Sequence, residues 1–397
     1  MASERRYYDD SYTVRFESPV SAAGEWQGRP AVELETTWFY PESGGQLPDQ
    51  GSLAGSPVVD VQAAEDGRVW HVVEGGLPAG VVRGEIDWAR RFDHMQQHTG
   101  QHVLSAAFER VASAATLSST LGAERSVIEL GLAGMDWRLA ARVEESANRV
   151  LWEDRELRLH WTDAEGVKLF ALRKPPQVQG RIRIVEVPDW DLSACGGTHT
   201  RRTGEVGAIK IVGWEKVRGN VRVTFLCGGR ALLDHAWRTE ALLEAAKRRT
   251  LKDRDLIAHL ERALEERDAL ARRLRELNAR LLAGDARARV GAPPRGVAEW
   301  AETRGRDDAR AFALACLSAG APWVVSGAGG PEPVVVVARA KGTGPDLKAM
   351  LAGLLAAARG KGGGSPELLQ IAAADAAGAQ VAFALARDQL SGPAGGD

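Results

Sequence analysis

The sequence predicts an α+β protein with two or three domains. Short β-rich segments separated by Gly, Pro and Asp fill residues 10–90, and helical periodicity replaces them from about residue 92. Strands and helices alternate again in the last hundred residues or so. A chain of 397 residues is long enough for more than one hydrophobic core.

We expect four parts along this chain. Residues 1–90 are predicted to form a small β-barrel-like N-terminal domain, and residues 91–228 an α+β domain built around a metal site. Residues 229–288 are predicted to form a long helix or coiled-coil linker. Residues 296–392, which follow the linker sequence VGAPPRG, are predicted to form a C-terminal α/β domain.

The helix that begins near residue 92 is predicted to have a packed face next to a histidine face. Its apolar stripe consists of Val103, Leu104, Ala107, Phe108 and Val111. After it we expect a helix over residues 143–153, the strand RIRIVEV, and two or three strands with a turn at residues 218–220.

The segment over residues 230–285 is dense in charge and contains no proline. Its leucines at positions 270, 274, 277 and 281 step by four, three and four, which is heptad spacing. This pattern indicates that the segment forms a homodimer. The alternative is a helical hairpin that packs on its own chain.

In the C-terminal part, the helix DLKAMLAGLLAAARG leads into the glycine-rich KGGGSPE. A glycine-rich loop that opens a helix can receive phosphate through backbone N–H groups. A plain turn is the alternative.

Composition indicates a cytoplasmic globular protein. The chain is 44% hydrophobic and 26% charged, and its net charge of −2 means that any nucleic-acid site must be a local basic patch. It shows neither a signal-peptide core nor an apolar run long enough to span a membrane. Cys195, Cys227 and Cys316 are too few and too scattered for a disulfide framework, which fits a reducing compartment.

Two five-residue strings hold a candidate metal site. His98 and His102 in HTGQH project from one helix face, and the glycines of CGGTH permit a turn that brings Cys195 and His199 to the same ion. Three nitrogens and one sulfur suit tetrahedral Zn²⁺. His94, four residues before His98, is the alternative to His102.

These strings, with TWFYPESGGQLPDQG upstream and LRKPP and SACGGTHTRRTGEVGAIKI downstream, resemble the editing domain of alanyl-tRNA synthetase and its freestanding relatives, the AlaX alanyl-tRNA editing proteins. With its C-terminal stretch, the chain is similar to the long form of AlaX, which carries a DHHA1-type domain. Thr120 departs from the pattern, because many relatives have a histidine there; this departure bears on fine substrate recognition and not on the metal site.

The resemblance implies a zinc-dependent aminoacyl-tRNA hydrolase. The sequence has no room upstream for a synthetase catalytic domain, so we expect an enzyme that acts in trans. Its implied substrate is tRNA(Ala) carrying the wrong amino acid, with Ser-tRNA(Ala) first and Gly-tRNA(Ala) second. An alanine pocket rejects glycine and serine by only a few kcal/mol, so a second, hydrolytic site is needed.

The resemblance also marks two candidate catalytic residues. Thr37, the threonine of the T-x-F-Y motif, is the candidate for contacting the serine hydroxyl; its alternative role is to pair across the sheet. Gln46, which ends SGGQ, is the candidate for holding the amino group or the ester carbonyl; its alternative role is to stabilise a turn.

Zinc would polarise the ester carbonyl, position the substrate or lower the pKa of water. Four protein ligands close a tetrahedral site, however, whereas hydrolytic zinc usually keeps an open position. Either His199 yields its place, the ion becomes five-coordinate, or zinc mainly organises the pocket.

Three basic clusters are candidates for binding tRNA phosphates. They are Arg173 with Lys174, Arg201 with Arg202, and Lys216 with Arg218 and Arg222. The alternative for each cluster is an ordinary solvated surface.

Two other functions compete with this one. One is a tRNA-binding protein with a purely structural zinc and no hydrolysis. The other is a DHH phosphoesterase, which is excluded because that class needs a DHH string and the sequence contains none.

Overall fold

The computed structural model describes residues 3–176 and 180–392. Over these residues the chain is a mixed α+β protein, which confirms the predicted fold class. The chain divides into two compact units, Met1–Arg249 and Thr250–Asp397. The finer division into four parts stays a prediction. In the described stretches, no helix is both long and apolar enough to cross a bilayer.

The first unit begins with a closed β-barrel. The first eight strands are β1 (Glu4–Arg5), β2 (Arg15–Trp26), β3 (Arg29–Leu34), β4 (Thr36–Thr37), β5 (Gly51–Leu53), β6 (Ser56–Ala63), β7 (Val69–Val73) and β8 (Val81–Ile86). Six of them close in the order β2-β3-β7-β6-β5-β8, and β1 pairs with β4. A Cβ on Gly51 would lie 2.1 Å from the carbonyl oxygen of Glu85, so the close approach of β5 to β8 requires glycine.

The helix α1 (Trp88–Ala112) follows the barrel and carries the histidines. The Asp87 side chain caps its first turn, and every residue from 97 to 108 is buried. Near its start the fully buried Arg91 donates a hydrogen bond to Asp49, which ties the helix to the loop before β5. Because α1 is a core helix, its polar side chains must find partners inside the protein.

Two further sheets and a helix surround α1. One sheet contains β9 (Thr116–Leu121), β10 (Ser126–Leu130), β14 (Ile209–Val217) and β15 (Asn220–Cys227), and the other contains β11 (Arg158–Thr162), β12 (Ile182–Val187) and β13 (Asp191–Ala194). The helix α2 (Trp137–Trp152) packs on α1. The predicted second helix, the strand RIRIVEV and the turn at residues 218–220 are confirmed. CGGTH directly follows β13, so this strand fixes where the loop begins.

The helical segment predicted over residues 229–288 is divided into two helices. The helix α3 (Gly228–Lys247) belongs to the first unit, and α4 (Leu256–Val290) belongs to the second. Between them Thr250 has a φ of 55°, in the left-handed region that a right-handed helix cannot contain. The four heptad leucines all lie on α4 and are 47–73% exposed.

The second unit is built on a five-stranded sheet. Its elements are β16 (Val297–Trp300), α5 (Arg306–Ser318), β17 (Trp323–Ala328), β18 (Val334–Arg339), α6 (Leu347–Ala358), β19 (Lys361–Ser365), β20 (Leu368–Ala372) and α7 (Ala376–Ser391). The strand order is β16-β17-β18-β20-β19, with the first pair parallel and the other neighbouring pairs antiparallel.

The KGGG segment differs from its prediction. It forms β19, a strand that pairs with β20, and it does not form a loop that opens a helix. A Cβ on Gly362 would lie 2.3 Å from the carbonyl oxygen of Gln370, so close strand pairing explains this glycine. The phosphate-binding alternative is therefore wrong, and the turn lies just beyond the glycines, at residues 366 and 367.

Candidate metal centre

The four residues predicted to bind a metal come together in the structure. His98 and His102 lie one turn apart on α1, and Cys195 and His199 lie on the loop after β13. One ligand atom from each of the four lies within 4.8 Å of every other, a spacing that could hold one metal ion. His94, the predicted alternative, lies outside this cluster; it is buried, and its Nδ1 has no hydrogen-bond partner among the described residues.

The imidazole rings are oriented by partners on their Nδ1 atoms. His98 Nδ1 lies 2.7 Å from Gln46 Oε1, and His102 Nδ1 lies 2.9 Å from Asp191 Oδ2. His199 Nδ1 pairs with the Thr99 hydroxyl at 3.2 Å. Because these partners occupy Nδ1, each ring turns Nε2 toward the cluster, as metal-binding histidines do.

Cys195 lies at the centre of this arrangement. Its Sγ is 3.3 Å from the Nε2 atoms of both His98 and His199. Gly197 allows the loop to reach the helix, because a Cβ there would lie 2.1 Å from the His98 ring. The sequence CGGTH thus needs glycine at this position for a steric reason.

The electrostatics of the cluster favour a cation. Burial alone would raise the pKa of the Cys195 thiol, but the surrounding histidines lower it well below its usual value, so the sulfur is held as a thiolate. Burial lowers the pKa of His199 to about 3 and leaves that ring neutral. Burial also lowers the pKa of His102, but Asp191 and Cys195 outweigh it and raise that pKa to about 9. A metal ion would take the place of the His102 proton.

Asp191 connects the cluster to a basic side chain. Burial alone would raise the pKa of this carboxyl group, but His102 and Arg173 lower it to about 2. Arg173 Nε donates to Asp191 Oδ1 at 2.7 Å, and the Ser193 hydroxyl donates to Oδ2 at 2.9 Å. The sequence prediction missed Asp191. Its place in PDWD, shortly before CGGTH, is the signal that was available.

Two cavities lie beside the cluster. The main cavity, of about 660 Å³, is lined by the candidate ligands His98, His102 and Cys195, the aromatic residues Tyr8, Tyr40 and Trp161, and the basic residues Arg173, Lys174, Arg181 and Arg183. The minor cavity, of about 390 Å³, is lined by His199, Arg201, Arg202 and several acidic residues. The main cavity therefore combines three of the four candidate ligands with excess positive charge.

The structure places the two predicted catalytic residues differently. Gln46 is fully buried and holds the cluster: its amide donates to the Thr198 hydroxyl at 2.8 Å, and its carbonyl oxygen faces His98. Thr37 is buried on β4, and neither described cavity is lined by it. Its hydroxyl already pairs with His71 at 2.8 Å and accepts a hydrogen bond from the Phe39 N–H at 3.1 Å. The contacts predicted between these residues and a substrate stay predictions.

The three predicted basic clusters lie in different parts of the structure. Arg173 and Lys174 line the main cavity, and Arg201 and Arg202 line the minor one. Lys216 and Arg218 are exposed at the hairpin between β14 and β15. Arg173 is the clearest change from expectation, because it pairs with Asp191 and is mostly buried.

Comparison with known proteins agrees with this geometry. The family model described as the threonyl and alanyl tRNA synthetase second additional domain matches residues 182–224, which include CGGTH. The alanyl-tRNA editing protein AlaX-L of Pyrococcus horikoshii is 28% identical over 387 residues, which are 92% of this chain and 93% of that protein.

The chain is similar to an alanyl-tRNA editing protein over nearly its whole length. It is also similar to alanine-tRNA ligases, with 38% identity over 261 residues to the ligase of Pyrococcus abyssi and 33% over 302 residues to that of Methanopyrus kandleri. These matches cover 61% and 72% of this chain but only 28% and 33% of the ligases. This chain therefore corresponds to only a part of each ligase.

Proposed function

We propose that this chain is a zinc-dependent hydrolase that acts in trans and removes the wrong amino acid from tRNA(Ala). The observation that carries the proposal is the four-residue cluster in the wall of a cavity lined by basic and aromatic side chains. Similarity to AlaX-L along 92% of the chain supports the same function. Ser-tRNA(Ala) is the proposed main substrate, and Gly-tRNA(Ala) is the second.

The donor set fits zinc. Three imidazole nitrogens and a thiolate match the ligands that tetrahedral zinc prefers, and each histidine has a partner that fixes its tautomer. A bound zinc ion would polarise an ester carbonyl and make water easier to deprotonate.

The chain's own residues shape the rest of the site. Asp191 and Gln46 keep the Nε2 atoms of His102 and His98 turned inward, so the ligand geometry is set before substrate arrives. Lys174 and Arg181 in the cavity wall offer positive charge to the phosphates of an acceptor strand. The cavity thus suits an ester at the end of a nucleic acid better than a free amino acid.

Thr116 offers a contact for the serine hydroxyl. This residue lines the main cavity on β9, its side chain is buried, and its hydroxyl has no hydrogen-bond partner in the described part of the chain. A buried hydroxyl without a partner costs about 1–3 kcal/mol, and a serine hydroxyl would remove that cost whereas alanine would not. Thr116 therefore competes with Thr37 for the role in selecting serine.

The test is deacylation of Ser-tRNA(Ala), Gly-tRNA(Ala) and Ala-tRNA(Ala) by the wild type and by Cys195→Ala, with zinc measured in both proteins. We expect fast release of serine by the wild type, and loss of both zinc and activity in the variant. Cys316→Ala is the matched control, because Cys316 is buried in the second unit. Wild-type protein that contains zinc and releases none of the three amino acids would contradict the proposal.

A second candidate is a tRNA-binding protein with a structural zinc. The observation that favours it is that four protein ligands close the coordination of a tetrahedral ion. This candidate predicts that the zinc-loaded protein binds Ser-tRNA(Ala) without cleaving it. The deacylation experiment separates the two functions.

The second unit is assigned to assembly and to holding the body of the tRNA, the role that a DHHA1-type domain would have. The α4 leucines at positions 270, 274, 277 and 281 form an exposed stripe at heptad spacing, which suits a second copy of α4. The sequence indicated a dimer interface over residues 230–285. We now propose an interface over residues 256–290 alone, because α3 lies in the other unit.

A further inference from the structure

An aromatic pair lies in the main cavity close to the metal cluster. Tyr8 and Trp161 both line this cavity, and their rings meet edge to face with centroids 5.8 Å apart and planes at 86°. Tyr8 ends a short 3₁₀ turn near the start of the chain, and Trp161 lies on β11. Two aromatic rings in a basic cavity are the arrangement that proteins use to stack unpaired nucleobases.

The pair is fixed relative to the metal-binding loop. The buried Arg183 donates from Nε to the carbonyl oxygen of Tyr8 and from Nη1 to the carbonyl oxygens of Cys195 and Gly197, each at 2.9 Å. A Cβ on Gly196 would lie 3.4 Å from the Tyr8 ring, so this ring lies directly beside the loop. Arg183 therefore acts as a positioning residue that holds the aromatic pair next to the cluster.

A second arginine covers the tryptophan. The guanidinium carbon of Arg181 lies 4.1 Å from the centroid of the Trp161 ring, and Arg181 is exposed. A planar guanidinium on an aromatic ring provides a flat surface that also carries a charge for an adjacent phosphate. Arg173, by contrast, is held by Asp191 and is less available.

We propose that Tyr8, Trp161 and Arg181 form the subsite for the terminal nucleobase of the acceptor strand. The inference rests on the proposed function, since it assumes that the ester to be cleaved lies at the metal cluster. A base seated on this subsite would direct its ribose, and hence the ester, toward Cys195 and His98. The class of ligand is a single unpaired nucleobase at the 3′ end of an RNA, and stacking contributes binding to it without reading its sequence.

The first test compares two esters of serine. One is 3′-O-seryl-adenosine, which has the base, and the other is serine methyl ester, which lacks it. Trp161→Ala is expected to lower kcat/KM for seryl-adenosine about 5- to 150-fold, mainly through KM, and to leave the methyl ester unchanged. Trp161→Phe should restore most of the loss. Trp152→Ala, which removes an exposed tryptophan at the end of α2, is the matched control.

An equal loss on both esters would overturn the subsite, because it would show that Trp161 only supports the fold of the metal site. A kcat/KM of Trp161→Ala that is unchanged on both esters would overturn the subsite as well. A second measurement does not depend on hydrolysis: equilibrium binding of an unacylated RNA hairpin ending in CCA to the wild type and to Trp161→Ala. If the wild type cleaves no ester but Trp161→Ala still weakens this binding, the proposed function fails and the base subsite stands. Equal binding by both proteins overturns the subsite.

Discussion

The two units of this chain use their interiors differently. In the first unit, buried polar and charged side chains surround the cluster, and most of them are paired with one another. In the second unit the buried polar residues among those described are Glu299 and Ser326, and the two cores consist mostly of Ala, Val and Leu. Buried polar groups are costly unless they are paired, so a unit that holds many of them has a use for them. This contrast supports the proposal that the chemistry takes place in the first unit and that the second unit serves binding or assembly.

The largest effect is expected at Asp191. Its replacement tests whether the buried polar side chains of the first unit serve metal binding. Asp191→Asn removes the charge that holds His102, and outer partners of this kind change metal affinity about 10- to 100-fold. Zinc competition with a chelator of known affinity measures the change. Asp189→Asn is the control, because Asp189 is exposed two residues away and its positive φ is one that Asn tolerates. Equal affinity in both variants would contradict the role of Asp191.

The next effect concerns the barrel, where burial lowers the pKa of His71 to about 4. The unfolded chain, in which this pKa is about 6.5, takes up the proton first as the pH falls. Stability is therefore lost from about pH 6.5 down to pH 4, with about 2 kcal/mol lost between pH 7 and pH 5. Urea unfolding at several pH values gives the free energy of unfolding as a function of pH. This free energy should depend less on pH in His71→Asn than in the exposed control His235→Asn. The same pH dependence in both variants would show that the pKa of His71 is not lowered in the folded protein.

A smaller effect separates the two candidate threonines. Thr116→Val should reduce the preference for Ser-tRNA(Ala) over Gly-tRNA(Ala) about tenfold, because a methyl group replaces the unpaired hydroxyl in the cavity. Thr37→Val should destabilise the barrel instead, since it breaks the hydrogen bond to His71, and it should leave the preference unchanged. The measurement is the ratio of the two deacylation rates. The reverse pattern would assign serine selection to Thr37.

The smallest effect on chemistry is expected in the second unit. Leu274→Lys together with Leu277→Lys should abolish dimerisation, measured by sedimentation equilibrium, and leave the hydrolysis of seryl-adenosine within twofold of wild type. A dimer that survives both changes would contradict the proposed use of α4. A loss of hydrolysis together with the dimer would contradict the separation of tasks between the units.

The sequence predicted that the four residues of the candidate metal centre come together, because their spacing carries geometric information. His98 and His102 are four residues apart on a helix, and the glycines between Cys195 and His199 imply a tight loop. No spacing pattern pairs the outer partners with their histidines, because Gln46 lies 52 residues from His98 and Asp191 lies 89 residues from His102. Such pairs exist only once the chain has folded.

The errors have physical causes as well. A glycine-rich segment suits a loop and an edge strand equally. KGGG forms a strand because it pairs with β20, and the sequence does not reveal that pairing. The break between α3 and α4 depends on the left-handed backbone of Thr250, which is not a typical residue for that conformation. The ion pair of Arg173 with Asp191, 18 residues later, was not foreseen from the sequence, and the predicted contact of Arg173 with tRNA phosphates stays a prediction.

We propose that hydrolysis depends on one metal ion held by His98, His102, Cys195 and His199. The most direct test removes metal from the wild-type protein, adds Zn²⁺ back in steps, and measures the release of serine from Ser-tRNA(Ala) at each step. We expect an activity that rises in proportion to bound zinc and levels off at one ion per chain. Full activity in the metal-free protein, or no activity after one equivalent is bound, would contradict it.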